Sequence, residues 1–223
     1  MNFKKHIRDV TEYFQEFGNE RDALAQKKYM KGHFDFCGIK TPQRRKIQKE
    51  MNALIELSPS SFLEFARNAY ASPYRDLHHY AVDTISTYKK NFDEGIVSVI
   101  EFLITNNSWW DTVDGTNSFI SKHYFMQNGS HHEEIVLRWM KDENMWLRRS
   151  ALISQLKFKE DTDEKLMRKM IEANLGSKEF FINKAIGWSL REYSRTNPDF
   201  VLEFCETYIL DKLSRREALR LIM

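Results

Sequence analysis

Apolar residues recur along most of the chain at intervals of three and four positions, the spacing of an amphipathic α-helix. No stretch shows a competing strand pattern. Three Ser/Thr-Pro pairs, beginning at Thr41, Ser58 and Ser72, each offer an N-cap followed by proline at the first helical position, and Asn197 precedes a fourth proline. Between these signals the periodicity predicts helices over residues 4–17, 20–32, 42–56, 60–70, 74–90, 93–105, 109–126, 131–143, 146–158, 163–174, 179–195, 199–210 and 214–222.

From residue 60 onward the predicted helices form pairs that repeat every 36 residues. Tyr74, Trp110 and Trp146 open the second helix of successive pairs, and Ile182 holds the next such position. This repeat length is typical of stacked helix pairs that bury their apolar stripes against one another. The tetratricopeptide consensus is missing, which favours HEAT-like repeats. We therefore predict an all-α protein, a right-handed superhelical solenoid of antiparallel helix pairs that forms a single domain over residues 1–223.

Composition excludes several classes of protein. Hydrophobic residues make up 42% and aromatic residues 13% of the 223 positions, more than a disordered chain contains. The N-terminus shows no apolar signal region, and no apolar run approaches the roughly 18 residues of a membrane span. Cys37 and Cys205, far apart in sequence, suit a reducing compartment. We expect a cytoplasmic protein that does not contact a membrane.

The usual signatures of metal and cofactor sites are missing from the sequence. The histidines show no H-E-x-x-H spacing, and the cysteines form no C-x-x-C pair. Neither the Walker phosphate loop nor a G-x-G-x-x-G turn occurs, which argues against kinases, NTPases and dehydrogenases. We therefore expect no metal and no cofactor.

The formal charge of +2 hides a segregation of charge between two sets of helices. Acidic residues concentrate in the first helices of the predicted pairs, whereas lysine and arginine concentrate in the second helices and in helix 42–56. Because a solenoid lines one side with each set, this pattern predicts a strongly basic face. The charges could also simply solvate the surface. We favour a face that binds a polyanion, most plausibly the backbone of a nucleic-acid duplex.

Helix 179–195 is predicted to carry an apolar stripe and a separate cationic face. The apolar stripe consists of Ile182, Ile186 and Leu190. The cationic face consists of Lys184, Trp188, Arg191 and Arg195.

Helix 109–126 is the exception among the second helices because its net charge is negative. Its predicted core positions are Trp109, Val113, Ile120 and Tyr124. Its predicted exposed stripe consists of Trp110, Asp114, Asn117 and Ser121. Trp110 and Asp114 should be neighbours one turn apart. An anion on a surface that binds phosphate is unfavourable, so its presence calls for an explanation.

Two interpretations of Asp114 remain open. In the first, the carboxylate pairs with a nearby arginine, such as Arg148 or Arg149, and only stiffens the surface. In the second, the carboxylate and the indole rings of Trp110 and Trp188 stabilise a cationic centre. Cleavage of a glycosidic bond builds positive charge on the sugar, which a fixed carboxylate stabilises, and indole faces attract cations.

At these residues the sequence resembles a known family, the bacterial alkylpurine DNA glycosylases of the AlkD type, which are built from HEAT-like repeats. The resemblance extends from about Tyr29 to Arg220. It is carried, in order, by Tyr29–Lys31 with Phe34–Arg45, Trp109–Asp114, Trp146–Arg149, Phe180–Ser194 and Leu213–Leu219. Five matching segments in order, in a chain of suitable length, are more specific than any one of them.

The resemblance implies hydrolysis of the N-glycosidic bond of cationic lesions such as 3-methyladenine and 7-methylguanine in duplex DNA, which leaves an abasic site. It implies that Asp114 is the catalytic carboxylate, which stabilises the sugar cation and positions water. It also implies that Trp110 and Trp188 contact the lesion nucleotide. Arg149 would hold the DNA backbone or help to position Asp114.

Further basic residues are expected to bind the DNA: Lys40, Arg44, Arg45, Arg148, Lys184, Arg191, Arg195, Arg215 and Arg216. The expected partner is double-stranded alkylated DNA, bound by a monomer that excises the base and does not cleave the strand. The alternative is a HEAT-repeat module without catalytic activity that binds structured DNA or RNA. The pair formed by Trp110 and Asp114 favours the enzyme, because a module that only binds phosphate has no use for an acid there.

Overall fold

The computed structural model describes residues 2–222, and within that range the protein is all-α. The described chain forms α1 (Phe3–Phe17), α2 (Glu20–Tyr29), α3 (Thr41–Asn52), α4 (Phe62–Tyr70), α5 (Arg75–Ser86), α6 (Ile96–Thr105), α7 (Trp110–Thr116), α8 (Lys122–Gln127), α9 (Gly129–Trp139), α10 (Met145–Leu152), α11 (Glu164–Glu172), α12 (Phe180–Tyr193), α13 (Pro198–Thr207) and α14 (Lys212–Leu219). Residues 2–222 contain no strand, only an isolated parallel bridge between Asp35 and Tyr74. The all-α prediction is confirmed.

The helix starts follow local capping chemistry, but not always at the predicted residue. Asn197 caps α13 by accepting a hydrogen bond from the backbone N–H of Phe200, as expected. Ser58 caps only a short 3₁₀ turn. The N-cap of α3 is Lys40, not Thr41, and no side chain caps it. Ser72 accepts from the N–H of Tyr74, so that α5 begins after the Ser72-Pro73 pair.

Several helices end earlier than the periodicity predicts. The predicted helices 42–56, 74–90 and 146–158 end at Asn52, Ser86 and Leu152. Beyond these residues the backbone bonds connect residues three apart, as in the 3.1 Å bonds from Leu54 to Met51 and from Ser154 to Ala151. Such tightened turns satisfy the last carbonyl groups of a helix while keeping nearly the same apolar spacing.

The chain divides between Ile120 and Ser121 into two compact units. In the first unit α4 packs against α5 and α6, and α7 packs against α5 and α6. Buried aromatic rings of Phe14, Phe65 and Tyr80 fill its core. The single domain predicted over residues 1–223 stays a prediction, and its terminal residues 1 and 223 lie outside the described residues.

The second unit repeats the same kind of stacking. Helix α9 packs against α10 and α11, α10 packs against α12, and α12 packs closely against α14. Across the two units, α5, α7, α10 and α12 begin at Arg75, Trp110, Met145 and Phe180, each 35 residues after the previous one. The repeat is therefore one residue shorter than the predicted 36. The aromatic and isoleucine residues that gave the predicted period lie one position further along the helix in each successive repeat, so their spacing exceeds that of the helix starts by one residue.

The predicted helix 109–126 is interrupted by a π-helical turn. Helix α7 ends at Thr116, residues Asn117–Ser121 form the π-helical turn, and α8 follows from Lys122. A π-helical turn fits one extra residue into the helix, so that later side chains are displaced around the axis. It begins three residues after Asp114.

Candidate active site

The side chains of Trp110 and Asp114 both lie on the half-exposed side of α7, one turn apart. The opposite side of α7 is buried through Thr112, Val113 and Thr116. The structure thereby presents an indole and a carboxylate together at the surface of the first unit, as the sequence predicts.

The rest of the predicted stripe is wrong. Asn117 and Ser121, expected on the exposed side with Asp114, are both buried. They fall in the π-helical turn, whose extra residue moves them off the face that carries Trp110 and Asp114. Among the predicted core positions, Val113, Ile120 and Tyr124 are buried, but Trp109 is half-exposed.

A buried arginine fixes the first turn of α7. Arg75 is 0% exposed, and its guanidinium holds both carboxylate oxygens of Asp111, from Nε at 3.0 Å and from Nη2 at 2.6 Å. The same guanidinium donates to the backbone carbonyl of Asn107 at 2.6 Å and to the hydroxyl of Thr112 at 2.7 Å. It also lies 3.9 Å from the centroid of the Phe34 ring. Because Arg75 is the first residue of α5, the network ties the starts of α5 and α7 together.

The network keeps Asp111 ionised although it is buried. Burial by itself raises the pKa of Asp111, but hydrogen bonds from His79 and Arg75 and the charge of Arg75 outweigh it and hold that pKa well below its usual range. The His79 ring contributes through Nε2, 2.9 Å from Oδ2 of Asp111. The Asp111 carboxylate is therefore paired with Arg75 and His79 within the protein. Asp114 is the carboxylate of α7 that lies on the half-exposed side.

An aromatic residue outside the predicted site lies beside Trp110. Tyr29 is 69% exposed, and its ring meets the Trp110 ring edge to face at 6.0 Å between centroids. The His33 ring lies 4.1 Å from the neighbouring Trp109. Tyr29 opens the first of the segments that carry the family resemblance, and that segment could have marked it as a site residue.

In the second unit the structure brings Arg149 and Trp188 together. Arg149 is 3% exposed and donates to the backbone carbonyl of Phe181 at 2.8 Å. Its guanidinium lies 5.9 Å from the Trp188 ring and 5.7 Å from the Phe181 ring. These distances suit cation–π contacts, which fix the orientation of the half-exposed Trp188.

Arg148 has a different environment from Arg149. It donates to the backbone carbonyls of Asp142 and Glu143 and forms a 2.7 Å ion pair with Glu179. Its side chain therefore ties the start of α10 to the start of α12. Of the two arginines, Arg149 is the one that contacts Trp188.

Glu217 of α14 holds two of the predicted DNA-binding cations. It pairs with Lys184 at 2.8 Å and also with Arg191, which lies two turns after Lys184 on α12. These cations lower the pKa of Glu217, chiefly through the hydrogen bond from Lys184. The close approach of α14 depends on Gly187, where a Cβ atom would lie 2.6 Å from the Cβ of Glu217 and 2.8 Å from the Ser214 carbonyl.

The other predicted DNA-binding residues differ in how accessible they are. Lys40, Arg45, Arg195, Arg215 and Arg216 are exposed. Arg44 is not on the surface: it is buried and lies 3.1 Å from the Asp83 carboxylate. Arg44 was expected to contact phosphate, and this prediction is wrong. Position 44 lies on the buried side of α3, whereas position 45 lies on its exposed side.

Comparison with known proteins identifies the family. Residues 10–222 match the family of DNA alkylation repair enzymes. The chain belongs to this family. A solved structure described as a "Predicted DNA alkylation repair enzyme from Enterococcus faecalis" is 31% identical, covers 91% of this chain over 95% of its own, and superimposes with a TM-score of 0.83. No curated protein matches. Family membership makes DNA repair the setting in which the site is interpreted.

Residues 2–222 show neither a membrane-spanning helix nor a cluster of metal-ligating side chains. No helix there has the length and apolar character needed to cross a membrane. No group of three or more His, Cys, Asp or Glu side chains in that part of the chain is arranged to hold a metal ion.

Proposed function

We propose that the protein is a monofunctional DNA glycosylase. In this proposal it hydrolyses the N-glycosidic bond of positively charged alkylated purines, such as 3-methyladenine and 7-methylguanine, in duplex DNA. It works as a monomer, without metal or cofactor, on a solenoid of HEAT-like helix pairs. Membership in the DNA alkylation repair enzyme family supports the setting, and the stacking of α4 on α6 and of α9 on α11 within the two units supports the repeat architecture.

The observation that carries the proposal is the placement of Trp110 and Asp114. Helix α7 contains two aspartates and no lysine or arginine. Asp111 is buried and held by Arg75, whereas Asp114 lies on the half-exposed side with Trp110. A carboxylate beside an indole is suited to a developing cation, and it disfavours a bound anion.

The proposed reaction needs no strong acid. The bond between C1′ and the purine nitrogen breaks, and its electron pair goes to the base, which leaves as a neutral molecule because it began with a positive charge. The sugar passes through a state with oxocarbenium character, which the Asp114 carboxylate stabilises. Water adds to C1′ and gives up its proton through Asp114. The products are the free alkylpurine and an abasic site.

The other site residues have supporting roles in this proposal. Trp110 and Trp188 contact the lesion nucleotide with their indole faces. Arg149 is buried like Arg44, so its role in this proposal is to hold the Trp188 ring, 5.9 Å away, rather than to contact the DNA backbone. Cations at the surface bind flanking phosphates. Of these, Lys40, Arg45, Arg195, Arg215 and Arg216 are exposed, and Lys184 and Arg191 are half-buried.

The test is release of alkylated bases from methylated duplex DNA. Wild-type protein should release 7-methylguanine and 3-methyladenine, measured by chromatography under single-turnover conditions. Asp114→Asn keeps the size of the side chain but removes its charge, and should slow release by about 10²–10³-fold, the usual effect of removing one electrostatic contact to a transition state. Asp93→Asn is the matched control, because it neutralises an exposed aspartate of the same unit and should leave the rate unchanged.

Absence of release by the wild-type protein, or equal rates for wild type and Asp114→Asn, would refute the proposal. The first result combined with tight duplex binding would leave a binding module without catalytic activity. The second would show that Asp114 serves only the structure of α7.

A further inference from the structure

A narrow cleft in the second unit lies between the segment that follows α10 and the C-terminal half of α12. Its volume is about 230 Å³, below the range of about 300–1,000 Å³ that is usual for sites of small organic ligands. This size suits a single small charged group better than a whole nucleotide. The lining includes three cations and three hydroxyl groups, those of Lys157, Lys159, Arg195, Thr162, Ser189 and Thr196.

One of these hydroxyl groups is held inside the protein without a hydrogen-bond partner. Ser189 is 3% exposed and lines the cleft, and its hydroxyl makes no hydrogen bond within residues 2–222. The hydroxyls of Thr116 and Ser121 are also unpaired, but they are closed off from solvent, whereas that of Ser189 is not. Since leaving a buried hydroxyl unpaired is unfavourable, this group is suited to an acceptor that enters the cleft.

Two lysines of the cleft occupy backbone conformations that favour glycine. Lys157 has φ 66° and Lys159 has φ 54°, both in the left-handed region, on either side of the buried Phe158. Glycine would adopt this conformation without the steric cost that a side chain brings. Both lysines are exposed, and neither forms an ion pair within residues 2–222. A ligand contact made by their ammonium groups accounts for side chains at these two strained positions.

The charge of the lining favours an anion. Besides the three cations, the cleft contains the carboxylates of Glu160 and Glu192. Glu192 lies 3.8 Å from Arg195, so these two charges largely offset each other. Lys157 and Lys159 then outweigh Glu160, and the cleft keeps a net positive charge. Ammonium and hydroxyl donors around a small positive space match the oxygen atoms of a phosphate group.

We propose that this cleft binds a single phosphate group. The phosphate accepts a hydrogen bond from the Ser189 hydroxyl, and the ammonium groups of Lys157 and Lys159 neutralise it. It belongs either to a DNA strand or to free phosphate, and the experiment distinguishes these two sources. Only the DNA source rests on the proposed function, and the cleft contains none of the proposed catalytic residues.

The experiment measures two probes with the same protein variants. An unmodified DNA duplex is titrated by fluorescence anisotropy over a series of salt concentrations, and inorganic phosphate is titrated by calorimetry at constant ionic strength. Ser189→Ala should weaken binding of the phosphate-bearing ligand about tenfold, the effect of losing one hydrogen bond to a charged group. The salt dependence should not change, because no charge is removed. Ser194→Ala is the matched control, since its buried hydroxyl donates to the Arg191 carbonyl and does not line the cleft.

A lysine variant tests the charge and the backbone separately. Lys157→Gly should weaken duplex binding several-fold and make the slope of log affinity against log salt shallower by about one. Because φ 66° suits glycine, the same variant should unfold at a urea concentration no lower than the wild type. Lost binding therefore cannot be ascribed to lost folding. Lys165→Gln, which removes an exposed charge of the same unit outside the cleft, should leave binding of both probes unchanged.

Each outcome decides the proposal. Weaker duplex binding by Ser189→Ala and Lys157→Gly supports the site and assigns its phosphate to DNA. Unchanged duplex binding, with binding of inorganic phosphate lost in both variants, supports the site and assigns it to free phosphate. Wild-type levels of binding of both probes by Ser189→Ala would overturn the proposal, as would equal losses in the two control variants or no binding of either probe by the wild type. None of these measurements uses base release, so failure of the glycosylase proposal would be recognised separately.

Discussion

Removing one partner of the ion pair between Arg75 and Asp111 should strongly destabilise the first unit. Asp111→Asn keeps the shape of the side chain but removes its charge and replaces one acceptor oxygen by a donor. The fully buried guanidinium of Arg75 would then face an amide N–H where it now finds a carboxylate oxygen at 2.6 or 3.0 Å. We expect the free energy of unfolding to fall by about 3–5 kcal/mol, the usual cost of leaving a buried charge without its partner.

The pH dependence of the wild type follows from the same pair. The pKa of Asp111 is lower in the folded protein than in the unfolded chain. Its stabilisation is therefore complete above the usual carboxyl range and is lost as pH falls toward the lowered value. Asp111→Asn should show a flatter decline of stability in acid than the wild type.

Urea denaturation followed by circular dichroism measures the effect. Asp35→Asn is the matched control: Asp35 pairs with Lys27 at 2.7 Å in the same unit, but both side chains are about half exposed, so the loss should stay within about 1 kcal/mol. In the double variant Arg75→Met/Asp111→Leu, neither charge of this pair remains, and much of the lost stability should return. A loss for Asp111→Asn no larger than for Asp35→Asn would refute the reasoning.

Two further predictions concern the second unit. Gly187→Ala should lower the free energy of unfolding by about 1–3 kcal/mol, because the new Cβ would lie 2.6 Å from that of Glu217. Gly129→Ala is the control, because a Cβ there would have no atom within 4 Å and should not lower the free energy of unfolding. Equal effects of the two variants in denaturant titrations would contradict the packing argument. Burial lowers the pKa of His132 to about 4, so stability present above the unfolded value of 6.5 should be lost as pH falls toward 4, by on the order of 3 kcal/mol. His132→Gln should flatten that decline, measured as the free energy of unfolding against pH, and an unchanged slope would count against it.

The fold was largely accessible from the sequence because amphipathic helices have a clear period. Positions such as Ile182, Ile186 and Leu190 are buried as the period predicts. The π-helical turn was not accessible, since Val113, Ile120 and Tyr124 keep an apolar spacing that a continuous helix also satisfies. The extra residue of the π-helical turn depends on tertiary packing, which the local sequence pattern does not show.

The sequence predicted those parts of the candidate site that depend on neighbours within one helix or on the family resemblance. The pair of Trp110 and Asp114 follows from a spacing of four residues. Long-range partners were not accessible: the sequence does not show that Arg75 binds Asp111, or that Arg44 turns inward to Asp83. Which of two adjacent arginines meets Trp188 likewise depends on how α10 packs against α12.

Several cations proposed to bind DNA already have a partner inside the protein, as Lys184 and Arg191 do in Glu217. The charge of such a residue is already partly neutralised by its partner in the protein. When it binds a phosphate, fewer of the cations condensed on the DNA are released than the count of basic residues suggests. Its head group is, however, held in one orientation before any ligand arrives, which lowers the entropy lost on binding. For these residues the benefit to a nucleic acid would lie in preorganisation more than in net charge, and the salt dependence of binding would understate the number of contacts.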